Sequence, residues 1–339
     1  MCKWGRSLAQ ICLLVAAGVL TASAQANWQV LNTFQVGGSG GWDYVTVDAP
    51  HHRLFVTRST HTIAVDEKTG KVLGDIPGQV RSHGVALVPK LNRGFITDGG
   101  GSGAIIVFNM KTYAVLGRIP TMPDSDGIIY DPKLDEVIAV SGDGNALMTF
   151  RPDIDPKNGK IDPPIDLGGS PEFLASDGTG RVYVNLENKD LVAVVDLHSR
   201  KVVARWPVTP GGHPVGMAID PASHRLFVGC RNPQKLIVMN DRNGAVEASL
   251  PIGSVVDATR FHAGRAFASC GGGSLVVAGK KDGKWVVEDT IKTPEGARTM
   301  GLDSITDRIY LPTAQMEPNG ARRPRPKPDT FMIVEVGRK

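Results

Sequence analysis

Apolar and polar residues alternate in short runs along most of this chain. From Arg53 onward, the stretch RLFVTRSTHTIAVDEKTGKVLGDI contains three such runs, joined by a polar loop and then by a turn that ends at Gly70. Alternation at every second residue is typical of β-strands with one buried face, and glycine supplies the positive φ of a tight turn. The pattern predicts strands at Tyr44–Val47, Leu54–Thr57, Thr62–Asp66 and Lys71–Ile76.

The same pattern recurs seven times. A charged residue precedes the second apolar run of each unit, at Arg53, Arg93, Glu136, Arg181, Arg225, Arg265 and Arg308. The successive spacings are 40, 43, 45, 44, 40 and 43 residues. Units of this length with four short strands are typical of β-propeller blades. The sequence therefore predicts an all-β fold, a seven-bladed β-propeller with four antiparallel strands per blade, as a single domain over residues 27–339.

The two ends of the repeat complement each other. The seventh unit has strands predicted at Met300–Asp303, Arg308–Leu311 and Phe331–Val336, but no fourth strand follows them. The segment Trp28–Val36 precedes the first unit and has the pattern of a fourth strand. We expect this N-terminal strand to complete the last blade, because a closed ring leaves no open sheet edge there.

Four units have closely similar second strands. They read RLFVT (Arg53–Thr57), RVYVN (Arg181–Asn185), RLFVG (Arg225–Gly229) and RIYLP (Arg308–Pro312). These motifs resemble those of the YVTN-repeat seven-bladed propellers, and the chain is similar to YncE-like periplasmic proteins over nearly all of residues 27–339. The second, third and sixth units depart from the motif. The resemblance implies the fold and the compartment, but little about activity, since propellers bind ligands, bind macromolecules or catalyse reactions.

The first residues have the pattern of a secretory signal peptide. Lys3 and Arg6 precede an apolar run from Ile11 to Leu20, and small residues follow up to Ala24. We expect cleavage after residue 24, or as late as residue 26, and a periplasmic or secreted protein. The run is too short to span a bilayer, which needs about 20 residues. Removing Lys3 and Arg6 lowers the formal charge from +4 to +2, too little to attract nucleic acid or anionic membrane by charge alone.

Polar residues recur where the chain enters each innermost strand. In a propeller these entry loops, and the loops joining second to third strands, lie on one face around the central channel; we call this opening the channel mouth. The candidates for a site there are Asp43, His83, Asp126, Glu172, His213, Asp257 and Arg298. Carboxylate and imidazole groups suit a divalent metal, and paired carboxylates suit acid–base catalysis. The alternative is that they are solvated side chains at a wet opening.

Cys230 and Cys270 are the two cysteines outside the predicted signal peptide. Both end the second strand of their unit, in neighbouring units, so we expect them to lie side by side. Export favours a Cys230–Cys270 disulfide, although equivalent positions in adjacent blades are often farther apart than the roughly 7 Å that a disulfide spans. Free thiols are a second interpretation, and a metal or redox site with His213 and Asp257 is a third.

Residues 315–329, in the loop between the second and third strands of the last unit, are rich in basic residues and prolines. The basic residues are Arg322, Arg323, Arg325 and Lys327. Proline favours an extended segment without a core. The segment is predicted to be an exposed insertion, a lid over the channel mouth, or an arm that attracts phosphate groups.

The simplest functional hypothesis is an exported, monomeric binding or scaffold protein that presents the channel mouth to a protein, glycan or small-molecule ligand. The sequence contains no H-E-x-x-H or C-x-x-C-H motif and no G-x-S-x-G elbow leading from a strand into a helix, which favours binding over catalysis. One alternative is a lactonase-like hydrolase or a metal-binding protein that uses the channel-mouth residues. A nucleic-acid-binding protein is another, based on the basic segment and the YncE-like resemblance.

Overall fold

The computed structural model describes residues 1–2, 27–319 and 322–339. These residues form seven four-stranded antiparallel sheets arranged in a ring, and one additional two-stranded sheet. The predicted seven-bladed β-propeller is confirmed. The predicted signal peptide lies outside the described residues, apart from residues 1 and 2.

The strands follow the repeat closely. The closing strand and blade 1 are β1 (Trp28–Gln35), β2 (Val45–Asp48), β3 (Arg53–Thr57), β4 (Thr62–Asp66) and β5 (Val72–Ile76). Blades 2 and 3 are β6 (Ser82–Val88), β7 (Arg93–Asp98), β8 (Ala104–Asn109), β9 (Val115–Pro120), β10 (Ser125–Asp131), β11 (Glu136–Ser141), β12 (Ala146–Phe150) and β13 (Ile165–Asp166). Blades 4 and 5 are β14 (Pro171–Ser176), β15 (Arg181–Leu186), β16 (Leu191–Asp196), β17 (Lys201–Pro207), β18 (Pro214–Asp220), β19 (Arg225–Arg231), β20 (Gln234–Asn240) and β21 (Val246–Pro251).

The remaining strands form blades 6 and 7 and the additional sheet. They are β22 (Val256–His262), β23 (Arg265–Cys270), β24 (Ser274–Lys281), β25 (Lys284–Lys292), β26 (Gly301–Asp303), β27 (Arg308–Thr313), β28 (Met316–Asn319), β29 (Arg322–Pro326) and β30 (Met332–Arg338). Three short 3-10 helices occupy loops, at Ala49–His51, Pro89–Leu91 and Glu187–Lys189. In the part of the chain that is described, no helix has the length and apolar character needed to cross a membrane.

The last blade is completed by the N-terminal strand, as predicted. Its strand order is β26, β27, β30, β1, and Trp28 lies opposite Arg338 in the β1–β30 pair. The Arg338 guanidinium lies 4.8 Å from the centre of the Trp28 ring. The same ring meets Phe267 of blade 6 edge-on at 5.0 Å. The closing strand therefore contacts the neighbouring blade as well as its own.

The core lies between the blades. The second strands contain consecutive buried apolar residues, so both faces of each sheet pack against a neighbour, and the aromatic residues at the third position of these strands are almost completely buried. Phe55 packs against Phe108 at 5.5 Å, and Phe95 against Phe150 at 5.4 Å. Full burial of such a side chain stabilises the fold by about 1.5–3 kcal/mol.

A repeated hydrogen bond joins neighbouring blades beneath the channel mouth. The fifth residue of a second strand donates from its side chain to the carbonyl oxygen of a strand-entry residue in the next blade. The pairs are Thr57 to His83, Thr97 to Asp126, Asn185 to Val215 and Ser269 to Arg298. Thr299 donates to the carbonyl oxygen of Asp43 at 2.6 Å and so links blade 7 to blade 1. These bonds fix the backbone from which the candidate site residues project.

The basic insertion contains a β-hairpin, whereas the sequence predicted only an extended segment. In it β28 pairs with β29, and Met316 lies opposite Pro326. Arg325 Nε donates to Glu317 Oε1 at 2.7 Å across the pair. The segment lies in the loop between β27 and β30, on the channel-mouth face.

Candidate functional site

Three of the predicted residues meet at the channel mouth in blades 1, 2 and 3. His83 Nδ1 lies 2.6 Å from Asp43 Oδ2 and 3.6 Å from Asp126 Oδ1. Burial lowers the pKa of His83, but the charges of Asp126 and Asp43 outweigh burial and raise that pKa to about 9. At neutral pH the imidazolium therefore donates to the Asp43 carboxylate and lies beside the carboxyl group of Asp126.

The ion pairs continue around the ring into blades 7, 6 and 5. Arg298 Nε lies 2.6 Å from Asp257 Oδ2, and an Arg298 terminal nitrogen lies 3.6 Å from Asp43 Oδ1. Arg231, at the end of β19, lies 2.7 Å from the other oxygen of Asp257. Carboxylates and cationic groups thus alternate around most of the ring, and most of the charges have a partner of opposite sign.

Glu172, in blade 4, lies between the two ends of this ion-pair network. Within residues 27–318 and 324–339, whose side chains the structure describes, its carboxyl group makes no ion pair or side-chain hydrogen bond. Burial raises the pKa of Glu172, and the negative charges of Asp126 and Asp257 raise it further. Burial also raises the pKa of Asp126, against the opposing effect of His83. The ring therefore contains four carboxyl groups but three cationic groups, and Glu172 is the carboxyl that favours the protonated state.

His213 does not join the other candidates. Its Nε2 lies 3.0 Å from Glu187 Oε2, and 43% of its side chain is exposed at the rim. The equivalent ring position in blade 5 is Val215, which is fully buried. The structure thus brings six of the seven predicted site residues to the ring and places the seventh outside it.

Among the described residues, one group of side chains is suited to ligate a metal ion. Asp43, His83 and Asp126 each offer one ligand atom, and these atoms lie within 4.8 Å of one another. Buried His83 Nε2 and Asp126 Oδ1 have no hydrogen-bond partner among the described residues. However, a metal ion at Nδ1 must displace the proton that Asp43 and Asp126 hold there. The group is therefore better organised for an imidazolium than for a metal.

The predicted Cys230–Cys270 disulfide is absent from the structure. Both cysteines are free thiols, and both are fully buried. Each sulfur packs in the equivalent place of its own blade, against Gly211 in blade 5 and Gly253 in blade 6. Burial raises the pKa of Cys230 to about 12 and that of Cys270 to about 11. Neither thiol is in the metal-ligating group identified above, and His213 is at the rim, so the proposed site of His213, Cys230, Asp257 and Cys270 is not assembled.

Sequence analysis missed Arg231 as a member of the ring. It lies six residues after Arg225 and directly follows Cys230, and Glu187 holds the same position in blade 4, whereas Arg58 in blade 1 lies one position earlier in its unit. All three carry charge on the channel-mouth face, which is the signal that would have found them. Arg58 has a structural role, because its guanidinium donates to carbonyl oxygens of residues 37–41 and lies 3.6 Å from the Phe331 ring centre.

An aromatic pair lies below the ring in the channel. Tyr44 stacks on Phe173 with ring centres 4.7 Å apart and an angle of 24° between the rings. Burial raises the pKa of Tyr44, and the carboxylates of the ring, Asp126 first among them, add to that effect. The pair lies between the charged residues of the channel mouth and a cavity farther along the channel, which Tyr44 and Phe173 also line.

Comparison with solved structures supports the fold. The hydrazine synthase of Kuenenia stuttgartiensis is similar over 80% of this chain and 92% of its own, with a TM-score of 0.69 and 13% identity. The Myceliophteria thermophila Cps50 (Swd1) β-propeller domain is similar over 92% of this chain and 100% of its own, with a TM-score of 0.69 and 10% identity. No protein-family model and no curated protein sequence matches the chain. At such identities the similarity establishes the β-propeller fold alone, a fold suited in general to scaffold or binding roles.

Proposed function

We propose that this protein is an exported binding propeller of the YVTN-repeat type that binds a small ligand with an ammonium group at the channel mouth. The observation that carries the proposal is Glu172, a carboxyl group at the mouth without an ion-pair partner in the described part of the chain. A ligand ammonium would supply the fourth cationic group of the ring. Glu172 would then ionise, since a nearby positive charge favours the carboxylate.

An organic cation suits this arrangement better than a bare metal ion. The ligand atoms of Asp43 and His83 already bond each other at 2.6 Å. Glu172 and Asp126 are the carboxyl groups least compensated by the protein, and an ammonium group has N–H donors for both. The mouth is accessible, because 17% of the Asp126 side chain and 32% of the Arg298 side chain are exposed.

The proposal is tested by screening amines, amino sugars and cationic peptides for thermal stabilisation, followed by calorimetry on any that bind. We expect binding to release protons from Glu172, and the Glu172→Gln variant to lose at least tenfold in affinity. Glu136→Gln is the matched control, since Glu136 begins β11 on the opposite face and its carboxyl group is not part of the ring. Equal affinity in wild type and Glu172→Gln would contradict this assignment.

Export rests on the N-terminal sequence and the YncE-like resemblance. In a Gram-negative host we expect the mature protein in the periplasm, with its first residue at position 25 or 27. Cell fractionation followed by N-terminal sequencing tests this expectation, and an uncleaved cytoplasmic product would contradict it.

Acid–base catalysis is the second candidate function, favoured by the raised pKa of Asp126 beside the His83 imidazolium. Groups that titrate near neutral pH are suited to proton transfer. If the protein hydrolyses lactones or esters at this ring, Asp126→Ala should abolish turnover while the fold is retained. Turnover that survives this substitution excludes the ring as the catalytic site.

A further inference from the structure

A second cavity lies in the channel on the other side of the Tyr44–Phe173 pair. Its volume is about 450 Å³, and its lining extends to Pro50 and Pro89 in the loops of the face opposite the channel mouth. Its apolar lining includes Val47, Val85, Leu87, Ile129, Leu174 and Leu302. Ligand sites are typically apolar cavities of about 300–1,000 Å³ with a few polar groups that orient the ligand.

Arg260, on β22, contributes a guanidinium to this cavity. One terminal nitrogen donates to the Thr259 carbonyl oxygen at 2.9 Å, and the guanidinium carbon lies 5.6 Å from the Phe173 ring centre. Within the described ranges, 27–319 and 322–339, no carboxylate pairs with Arg260. Most of its five N–H donors are therefore available to a ligand.

Apart from the Tyr44 hydroxyl, which has no hydrogen-bond partner among the described residues, the other polar side chains of the lining are already engaged. Asp48 binds Arg53 and His51, and the hydroxyl group of Thr46 donates to the Val85 carbonyl oxygen at 2.7 Å. The Tyr130 hydroxyl donates to Asp135 at 2.9 Å. No neighbouring carboxylate in the described lining therefore compensates the positive charge of Arg260.

The environment of Arg260 favours an anion. Burial lowers the pKa of Arg260, although arginine stays charged in proteins. Arg260 is half-buried, and a charge that is partly removed from water without a partner is costly. A planar carboxylate matches the guanidinium with two parallel hydrogen bonds. The surrounding valine and leucine side chains are suited to an apolar body attached to that carboxylate.

We propose that this cavity binds a small apolar monocarboxylate, with its carboxylate on Arg260 and its apolar body against the channel wall. The ligand enters from the face opposite the channel mouth. This second site goes beyond the proposed function, because it involves none of the ring residues and takes a ligand of opposite charge.

The test uses 3-phenylpropionate as the probe and 3-phenylpropionamide, which has the same shape without the charge, as its control. Binding to the full-length mature protein is measured by calorimetry. We expect the carboxylate to bind wild type at least tenfold more tightly than the amide, and Arg260→Met to lose that preference. Lys133→Met is the control for a nearby cation, because Lys133 lines the adjoining groove on the same face. The Lys133→Met variant should bind 3-phenylpropionate with unchanged affinity.

A second variant keeps the test valid if Arg260→Met does not fold. Leu302→Phe retains the guanidinium but narrows the cavity, and it should also weaken 3-phenylpropionate binding at least tenfold. The proposal would be overturned if wild type does not bind 3-phenylpropionate, or if either folded cavity variant binds it with unchanged affinity. A loss of affinity in Lys133→Met instead would also overturn it. Glu172→Gln should bind the probe normally, so failure here is distinguishable from failure of the channel-mouth proposal.

Discussion

At the scale of single residues, Glu172 is placed where a carboxyl group reduces stability. Its pKa is raised from the usual 4.5, so the native state holds this proton at pH values where the unfolded chain has released it. The native state then binds more protons than the unfolded state, and stability falls as pH rises above about 4.5. The residue is therefore better explained by binding than by stability.

We expect Glu172→Gln to become increasingly more stable than wild type as pH rises from 5 to 8. Glutamine does not titrate, so the substitution removes the contribution of Glu172 to the pH dependence of the free energy of unfolding. That contribution is at most about 1.4 kcal/mol per pH unit. Urea unfolding of both proteins at several pH values measures the difference. A constant difference across this range would show that Glu172 has an ordinary pKa.

The limits of sequence prediction are clearest at this scale. The repeat predicted that Asp43, His83 and Asp257 lie at the same level of the channel. A residue's position within its unit determines where it lies along the channel axis. The repeat did not exclude His213, because the sequence does not show that only the position two residues later, that of Val215, faces the ring. It also left the state of Cys230 open, because spacing along the chain does not give the distance between equivalent positions in neighbouring blades.

At the scale of elements, the second strand of a blade does more than fill the core. Its fifth residue holds the strand-entry loop of the next blade, which is where the site residues are found. Thr97 is an example: its hydroxyl donates to the Asp126 carbonyl oxygen at 2.5 Å and accepts from the Gly84 amide at 2.8 Å. Strand bounds were predicted to within one or two residues, as Lys71–Ile76 against the observed Val72–Ile76 and Arg308–Leu311 against Arg308–Thr313 show, because the apolar pattern determines them directly.

We expect Thr97→Val to destabilise the protein by about 1–3 kcal/mol, because it leaves a buried amide and a buried carbonyl without a partner. The shape of the side chain is retained, so the loss reports the hydrogen bonds. Thr290→Val, at an exposed position of outer strand β25, is the control and should change stability by less than about 0.5 kcal/mol. Equal effects in the two variants would mean that the inter-blade bond contributes nothing.

At the scale of the whole molecule, the ring depends on one short strand. Phe34 of β1 is 7% exposed and packs against the Gly70 turn of blade 1, where an added Cβ would lie 2.4 Å from the Phe34 Cβ. With Trp28 against Phe267 of blade 6, this strand joins blades 6, 7 and 1. The sequence predicted the closure because the last unit lacked a strand and the first was preceded by one.

We expect deletion of residues 27–36 to expose the edge of β30 and cause association of chains through that edge. Light scattering during size-exclusion chromatography should show a monomer for the mature protein and larger species for the deletion variant. Phe34→Ala, which keeps the strand, should remain monomeric while losing about 3–5 kcal/mol of stability. A deletion variant that stays monomeric and equally stable would show that β1 is dispensable.

The pairing of Trp28 with Arg338 also sets the order of events during biogenesis. The first strand of the propeller to be synthesised stays unpaired until the last one has been synthesised. Such distant pairings slow folding, because a long loop must close before they form. A nascent chain stalled just before β30 should therefore be digested by protease from both of its open ends, whereas the finished chain resists.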